Sequence, residues 1–231
     1  MKKAILGMSL ALVVSSPLFA QDKEKARVEN AGRVMKEILE APDSIPKSVL
    51  NGSYCVVILP SVFKLSLGLG SSFGRGVMTC RSGKAYDGPW GAPTMMAMGG
   101  ASAGLQFGAQ STDFVLLLMS SNSASSILTS KVKLGGNATV AAGPVGRTAS
   151  AETDVAMRAE ILSYSRSRGV FAGISLAGST LREDNGANKK LYGKKVDARA
   201  VVFDSAEPAP ACAKNLLMTL DKAAPASKSK N

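Results

Sequence analysis

The stretch KLSLGLGSSFGRGVMTCRSGKAYDGPWGAPTMMAMGGASAGLQFGAQSTD, Lys64 to Asp113, decides how this chain folds. Eleven of the 23 glycines fall between Gly68 and Gly108, dispersed among apolar residues, so the stretch is neither a flexible linker nor a single phosphate loop. Leu65, Leu67 and Leu69 alternate with Ser66, Gly68 and Gly70, the period-two pattern of a half-buried strand. Glycine on the other face leaves room for a second backbone layer or a ligand to approach closely. A similar texture returns at Ala101–Gln110, Lys131–Arg147 and Gly169–Thr180. The expectation is a strongly bent antiparallel sheet.

Working outward, Tyr54–Leu59 (YCVVIL) reads as a buried strand stopped by Pro60, and Phe114–Met119 as a second apolar strand. Asp22–Glu40 places Val28, Ala31, Met35 and Ile38 at helical spacing, an amphipathic stripe suited to packing on the sheet. Its five basic and five acidic residues balance, unlike a helix drawn to anionic membranes. Ser123–Thr129 and Ala211–Lys222 are expected to be helical, Asn185–Tyr192 a polar loop or helix start, and Val196–Phe203 a strand or helix. Lys131–Ala142 and Val170–Leu181 read as strands, and Glu152–Ser163 as a strand continuation. The fold class is α+β: one domain built on a curved, glycine-rich antiparallel sheet, barrel- or sandwich-like, with the N-terminal helix packed across it.

Lys2 and Lys3 precede an apolar run, Ala4–Val14, and then Leu18-Phe19-Ala20, the layout of a secretory signal cleaved after Ala20. No cysteine follows that run, so no lipid anchor is expected. Residues 1–20 are therefore read as a signal peptide, 21–222 as a single domain and 223–231 as a basic disordered tail. The expected location is the periplasm or the exterior. Removing the signal takes only two lysines from a formal net charge of +11. The remaining excess favours polyanions, among them anionic lipid head groups and acidic glycans. Too few aromatic residues are present for a base-stacking platform, and no nucleic-acid partner is expected. Cys55, Cys80 and Cys212 leave one cysteine over. Cys55 and Cys80 could pair if their strands are adjacent, or all three could be small buried apolar residues.

The chain contains no histidine, which removes Ser-His-Asp, Cys-His and histidine-based metal sites. Gly100-Ala101-Ser102-Ala103-Gly104 matches a nucleophile elbow, but that chemistry needs a histidine base. Ser61-Val62-Phe63-Lys64 matches a serine–lysine spacing without its companion Lys-Thr-Gly and reads as a surface loop. Gly68-Leu69-Gly70 lacks the third glycine of a nucleotide loop. Asp113, following Gln106 and Gln110, is expected to be a hydrogen-bonded structural carboxylate. No enzyme activity, cofactor or metal is expected.

Ten short motifs in order then resemble the SYLF domain family: Ile45-Pro46-x-x-Val49-Leu50, Ile58-Leu59-Pro60-Ser61, Gly70-x-x-x-Gly74-Arg75-Gly76-Val77, Trp90-Gly91-Ala92-Pro93, Gly104-x-Gln106-x-Gly108, Asp113-x-Val115, Lys133-Leu134-Gly135, Gly143-Pro144-Val145-Gly146-Arg147, Tyr164-Ser165-x-Ser167-x-Gly169 and Asn188-x-x-x-Tyr192-Gly193. The resemblance covers roughly Ile38 to Val202. It implies a lipid-binding module. Eukaryotic members bind phosphoinositides, partly through a basic amphipathic N-terminal helix, fungal members also bind actin filaments, and bacterial members are secreted or envelope proteins. Gly91 stands where many relatives have serine. An exported bacterial member meets neither actin nor phosphoinositides, so the expected partner is an anionic phospholipid surface. Lys64, Arg75, Arg81, Lys84, Arg147, Arg166 and Arg168 are the candidate head-group contacts, because an arginine holds a phosphate with two parallel hydrogen bonds. Each is alternatively an exposed surface charge, and Arg75 also a structural pair. The rival function is a structural or interaction protein of the cell envelope that meets a protein or glycan through its basic surface.

Overall fold

The computed structural model describes residues 18–83, 85–146, 158–167, 170–173, 176 and 178–226. Helix α1 (Leu18–Glu40) leads through a short α2 (Lys47–Asn51) into two very long strands, β1 (Cys55–Cys80) and β2 (Thr94–Leu118). Then come α3 (Ser121–Thr129), β3 (Val132–Lys133), β4 (Val140–Ala142), β5 (Ile161–Ser167), β6 (Val170–Gly173) and β7 (Ser179–Glu183). Helices α4 (Asn185–Tyr192), α5 (Ala198–Phe203) and α6 (Lys214–Ala223) complete the described chain.

The glycine-rich stretch is thus one hairpin rather than several short strands. β1 pairs antiparallel with β2 from Cys55↔Leu118 to Met78↔Thr94, with irregularities between Leu59 and Val62 and between Leu67 and Leu69. Extended, 26 residues would span about 80 Å. Instead β1 folds back until its two ends meet: the Cys55 and Cys80 Cα atoms lie 3.9 Å apart and a disulfide joins them. The Arg81 N–H donates to the Tyr54 carbonyl at 3.0 Å beside it. Two glycines make the fold-over possible. A Cβ on Gly76 would overlap the Ile58 carbonyl, and one on Gly74 would press into the Val62 side chain. The second backbone layer expected from the glycine pattern is therefore the other half of the same strand.

β7 joins the outer edge of β2 at Met96–Gly100, and β5 joins it at Asp113–Leu118. β3 extends β7, while β6 and β4 extend β5. The result is a curled, seven-stranded sheet among the described residues. It departs from the all-antiparallel expectation at one place, since β4 pairs parallel with β5. Lys131–Ala142 forms two short strands around a turn closed by Asn137 N–H to the Lys133 carbonyl. The single strand expected over Val170–Leu181 is divided between β6 and β7. Val196–Phe203 resolves into α5, and 151–157 lies outside the described residues.

Both faces of the sheet are buried where β1, β2 and β5 run side by side. Val56, Ile58, Val115, Leu117 and Tyr164 point to a core closed by Val28, Ala31, Met35 and Ile38 of α1 and Leu216 and Leu220 of α6. Val57, Leu59, Phe114, Leu116 and Leu118 point to a second core beneath Ala124, Ile127 and Leu128 of α3 and Ala198 and Val202 of α5. A strand covered on both sides needs apolar residues at consecutive positions, which is why VVIL and FVLLL are unbroken runs.

Candidate functional site

At Pro60 the buried run ends and β1 turns outward. Ser61 adopts a left-handed conformation (φ 51°), and its N–H donates to Asp113 Oδ1 at 2.8 Å. Asp113 Oδ2 accepts from the Arg166 guanidinium at 2.8 and 3.2 Å, and Arg166 also binds Glu37 of α1. Asp113 is thus the structural carboxylate expected from its position. Burial raises its pKa and the Ser61 N–H opposes that rise.

Beyond this kink, buried and exposed positions alternate on both sides of residues 66–70. Val62, Gly74 and Gly76 are buried against the opposite half of β1, whereas Ser61, Phe63, Leu65, Ser71, Phe73 and Arg75 are exposed. The inner side of the fold-over accepts only small or closely fitted residues, so the even positions face inward and the odd positions outward. Leu65 accordingly stands on the open side of the strand, 39 % exposed. Phe63 is 50 % and Phe73 56 % exposed. Their partners across the ladder are Ser111 for Phe63, Ala109 for Leu65 and Gly99 for Phe73, side chains too short to cover a ring. Leu65–Gly74 and Thr94–Thr112 contain no charged residue. We call this bent middle of the hairpin the elbow.

Of the candidate cations, Lys64 and Arg75 border the elbow. The Lys64 ammonium sits 4.9 Å from the Phe114 ring centroid, and burial lowers its pKa. Arg75 is exposed but reaches Asp184 at 3.4 Å, the residue whose carboxylate also caps α4. Arg81 is buried. Its guanidinium donates to the carbonyls of Ala224, Pro225 and, more weakly, Gly88, and lies 4.7 Å from the Trp90 ring centroid. It fastens the end of α6 to the hairpin, together with Trp90 Nε1, which donates to the Ala224 carbonyl. Arg166 is committed to Asp113 and Glu37. Lys84, Arg147 and Arg168 lie outside the described residues. The fold therefore gives Arg75, Arg81 and Arg166 acceptors of their own, which sequence spacing did not reveal. A cleft of about 470 Å³ lies next to Arg81, walled by Tyr54, Tyr86, Asp87 and Pro225.

The matches to nucleophile and nucleotide motifs dissolve in this geometry. Gly100–Gly104 and Gly68–Gly70 both lie within strands, and Ser61–Lys64 runs along β1 rather than around a loop. No group of three or more metal-ligating side chains occurs among the described residues.

The family model for Ysc84, described as Las17-binding protein actin regulator, matches residues 99–223. The chain belongs to the Ysc84, or SYLF, family. Among similar members, LAS seventeen-binding protein 3 of Saccharomyces cerevisiae is 33 % identical over 197 residues, covering 84 % of this chain and 42 % of that protein. Protein YSC84 of the same yeast is also 33 % identical over 197 residues, covering 84 % of this chain and 41 % of its own length. SH3 domain-containing YSC84-like protein 1 of Homo sapiens is 32 % identical over 204 residues, covering 85 % of this chain and 58 % of that protein. The chain spans about half the length of these Ysc84-family relatives.

Proposed function

We propose that this Ysc84-family protein is a non-enzymatic binder of anionic phospholipid surfaces, acting in the cell envelope after export. One observation carries the reading: β1 exposes Phe63, Leu65 and Phe73 around a run without charge, Leu65–Gly74, that Lys64 precedes and Arg75 follows. A face of that kind suits a bilayer, whose interior excludes charge and whose head groups attract cations. The basic balance of the chain supports it, because Lys189, Lys190 and Lys195 are exposed and without an ion pair among the described residues. Non-enzymatic action accords with relatives named for binding.

The test is flotation of the protein with neutral and with phosphatidylglycerol-containing vesicles at low and near-physiological salt. Binding that needs anionic lipid and partly survives salt supports the proposal. Absence of flotation in every condition refutes it. The names of the relatives favour a second reading, a protein partner met through the basic surface. Salt-sensitive capture of an acidic protein without vesicle binding would select that alternative, since exposed charge is screened within about 10 Å.

A further inference from the structure

We propose that the elbow itself enters the bilayer, with Phe63, Leu65 and Phe73 seated at the acyl boundary and the flanking cations at head-group level. This rests on the lipid-surface reading and names its contact. Four large apolar side chains are exposed among the described residues, and three of them are these. They share the outward face of one strand and carry only Ser111, Ala109 and Gly99 opposite them. Exposed strands in water are ordinarily protected by charged side chains, yet none occurs from Leu65 to Gly74 or from Thr94 to Thr112. The exposed rings and the missing charges describe a surface made for an apolar phase.

The described candidate cations are already engaged. Arg81 and Arg166 are held by internal acceptors, Arg75 reaches Asp184, and Lys64 is half-buried over Phe114. The apolar stripe of α1 is engaged as well, because Val28, Ala31, Met35 and Ile38 are fully buried against the sheet. At the elbow, by contrast, half-exposed rings have apolar area still to bury. A second copy of the chain is disfavoured as the occupant by charge, since two exported molecules, each still +9 when the signal's two lysines are taken from +11, repel. An anionic surface is complementary.

Phe63→Ser with Phe73→Ser, in the otherwise intact protein, removes two rings that contribute little to either core, and circular dichroism should report an unchanged fold. Partitioning to phosphatidylglycerol vesicles should fall about tenfold or more, as expected for losing two half-exposed phenyl groups from an apolar phase. Met218→Ser, which removes the fourth exposed apolar side chain from α6, should bind as the parent does. In a Phe73→Trp variant the introduced indole should be quenched by lipids brominated on their acyl chains, while the buried Trp90 is not. If the parent floats and the double variant floats equally, with no quenching, the insertion is wrong and head-group contact alone stands. If the parent does not float, both readings fall. If the parent self-associates in solution and the double variant is monomeric, with no lipid binding by either, the elbow is a contact between copies and the proposal is overturned.

Discussion

The two ends of the β1–β2 hairpin and its bent middle are made from the same strands under opposite rules. At one end Cys55–Leu59 pairs with Phe114–Leu118, at the other Val77 and Met78 run beside Thr94–Met98, and at both ends the side chains are buried and divided between the two cores. In the elbow, the same β1 buries Val62 and Gly74 and turns Phe63, Leu65 and Phe73 to the outside. The difference originates at Pro60-Ser61. A left-handed Ser61, held by Asp113, tips the strand out of the two-sided core, and the glycines at 74 and 76 let it return against itself. Stability is therefore concentrated in the ends, and the elbow is an exposed apolar surface held up by them.

That contrast breaks most severely at Gly76. In Gly76→Val the side chain has no space beside Ile58, so the halves of β1 cannot close. A loss of more than about 3 kcal/mol is expected, read as a collapsed urea midpoint or absence of folded protein. Next is the disulfide, which links residues 25 apart in sequence. Reducing it, or Cys55→Ser, should cost about 3 kcal/mol by the loop-entropy relation. Cys212→Ser should leave the reductant sensitivity of the melt intact, because Cys212 is the free thiol. Asp113→Ala would free Ser61 and leave Arg166 with Glu37 alone as its acceptor, at a cost of about 2 kcal/mol. The same variant should also weaken vesicle binding, because the kink that presents Phe63 would loosen. Phe63→Ser with Phe73→Ser should change stability by less than about 0.5 kcal/mol, as is usual for exposed sites away from caps and cores. A loss above about 2 kcal/mol would mean that the elbow belongs to the core after all.

How much of this could be read beforehand follows from which forces are local. The stripe of α1 is a periodicity, so Val28 to Ile38 announced both the helix and its buried face. The runs VVIL and FVLLL signalled burial, although not that each served two separate cores. The glycine texture predicted close backbone approach correctly, yet the partner was another part of the same strand. The alternation at Leu65 gives two faces without saying which is inside. That choice is made by Gly76 meeting Ile58, eighteen residues away. The partners of the arginines were hidden for a similar reason: the acceptors of Arg81 lie in Ala224 and Pro225, and those of Arg166 in Asp113 and Glu37. Phe63 and Phe73 went unnoticed, although the charge-free run around them was a visible signal. Outward apolar positions on a strand ought to be bordered by charge in a protein that meets only water.

The most direct measurement is amide hydrogen exchange of the whole protein with and without phosphatidylglycerol vesicles. The account predicts slow exchange in Val56–Leu59 and Val115–Leu118 in both conditions, and new protection on adding vesicles confined to the elbow, around Phe63–Phe73 and the facing part of β2. New protection centred on α1 instead, or an elbow exchanging identically with and without lipid while the protein is vesicle-bound, would contradict it.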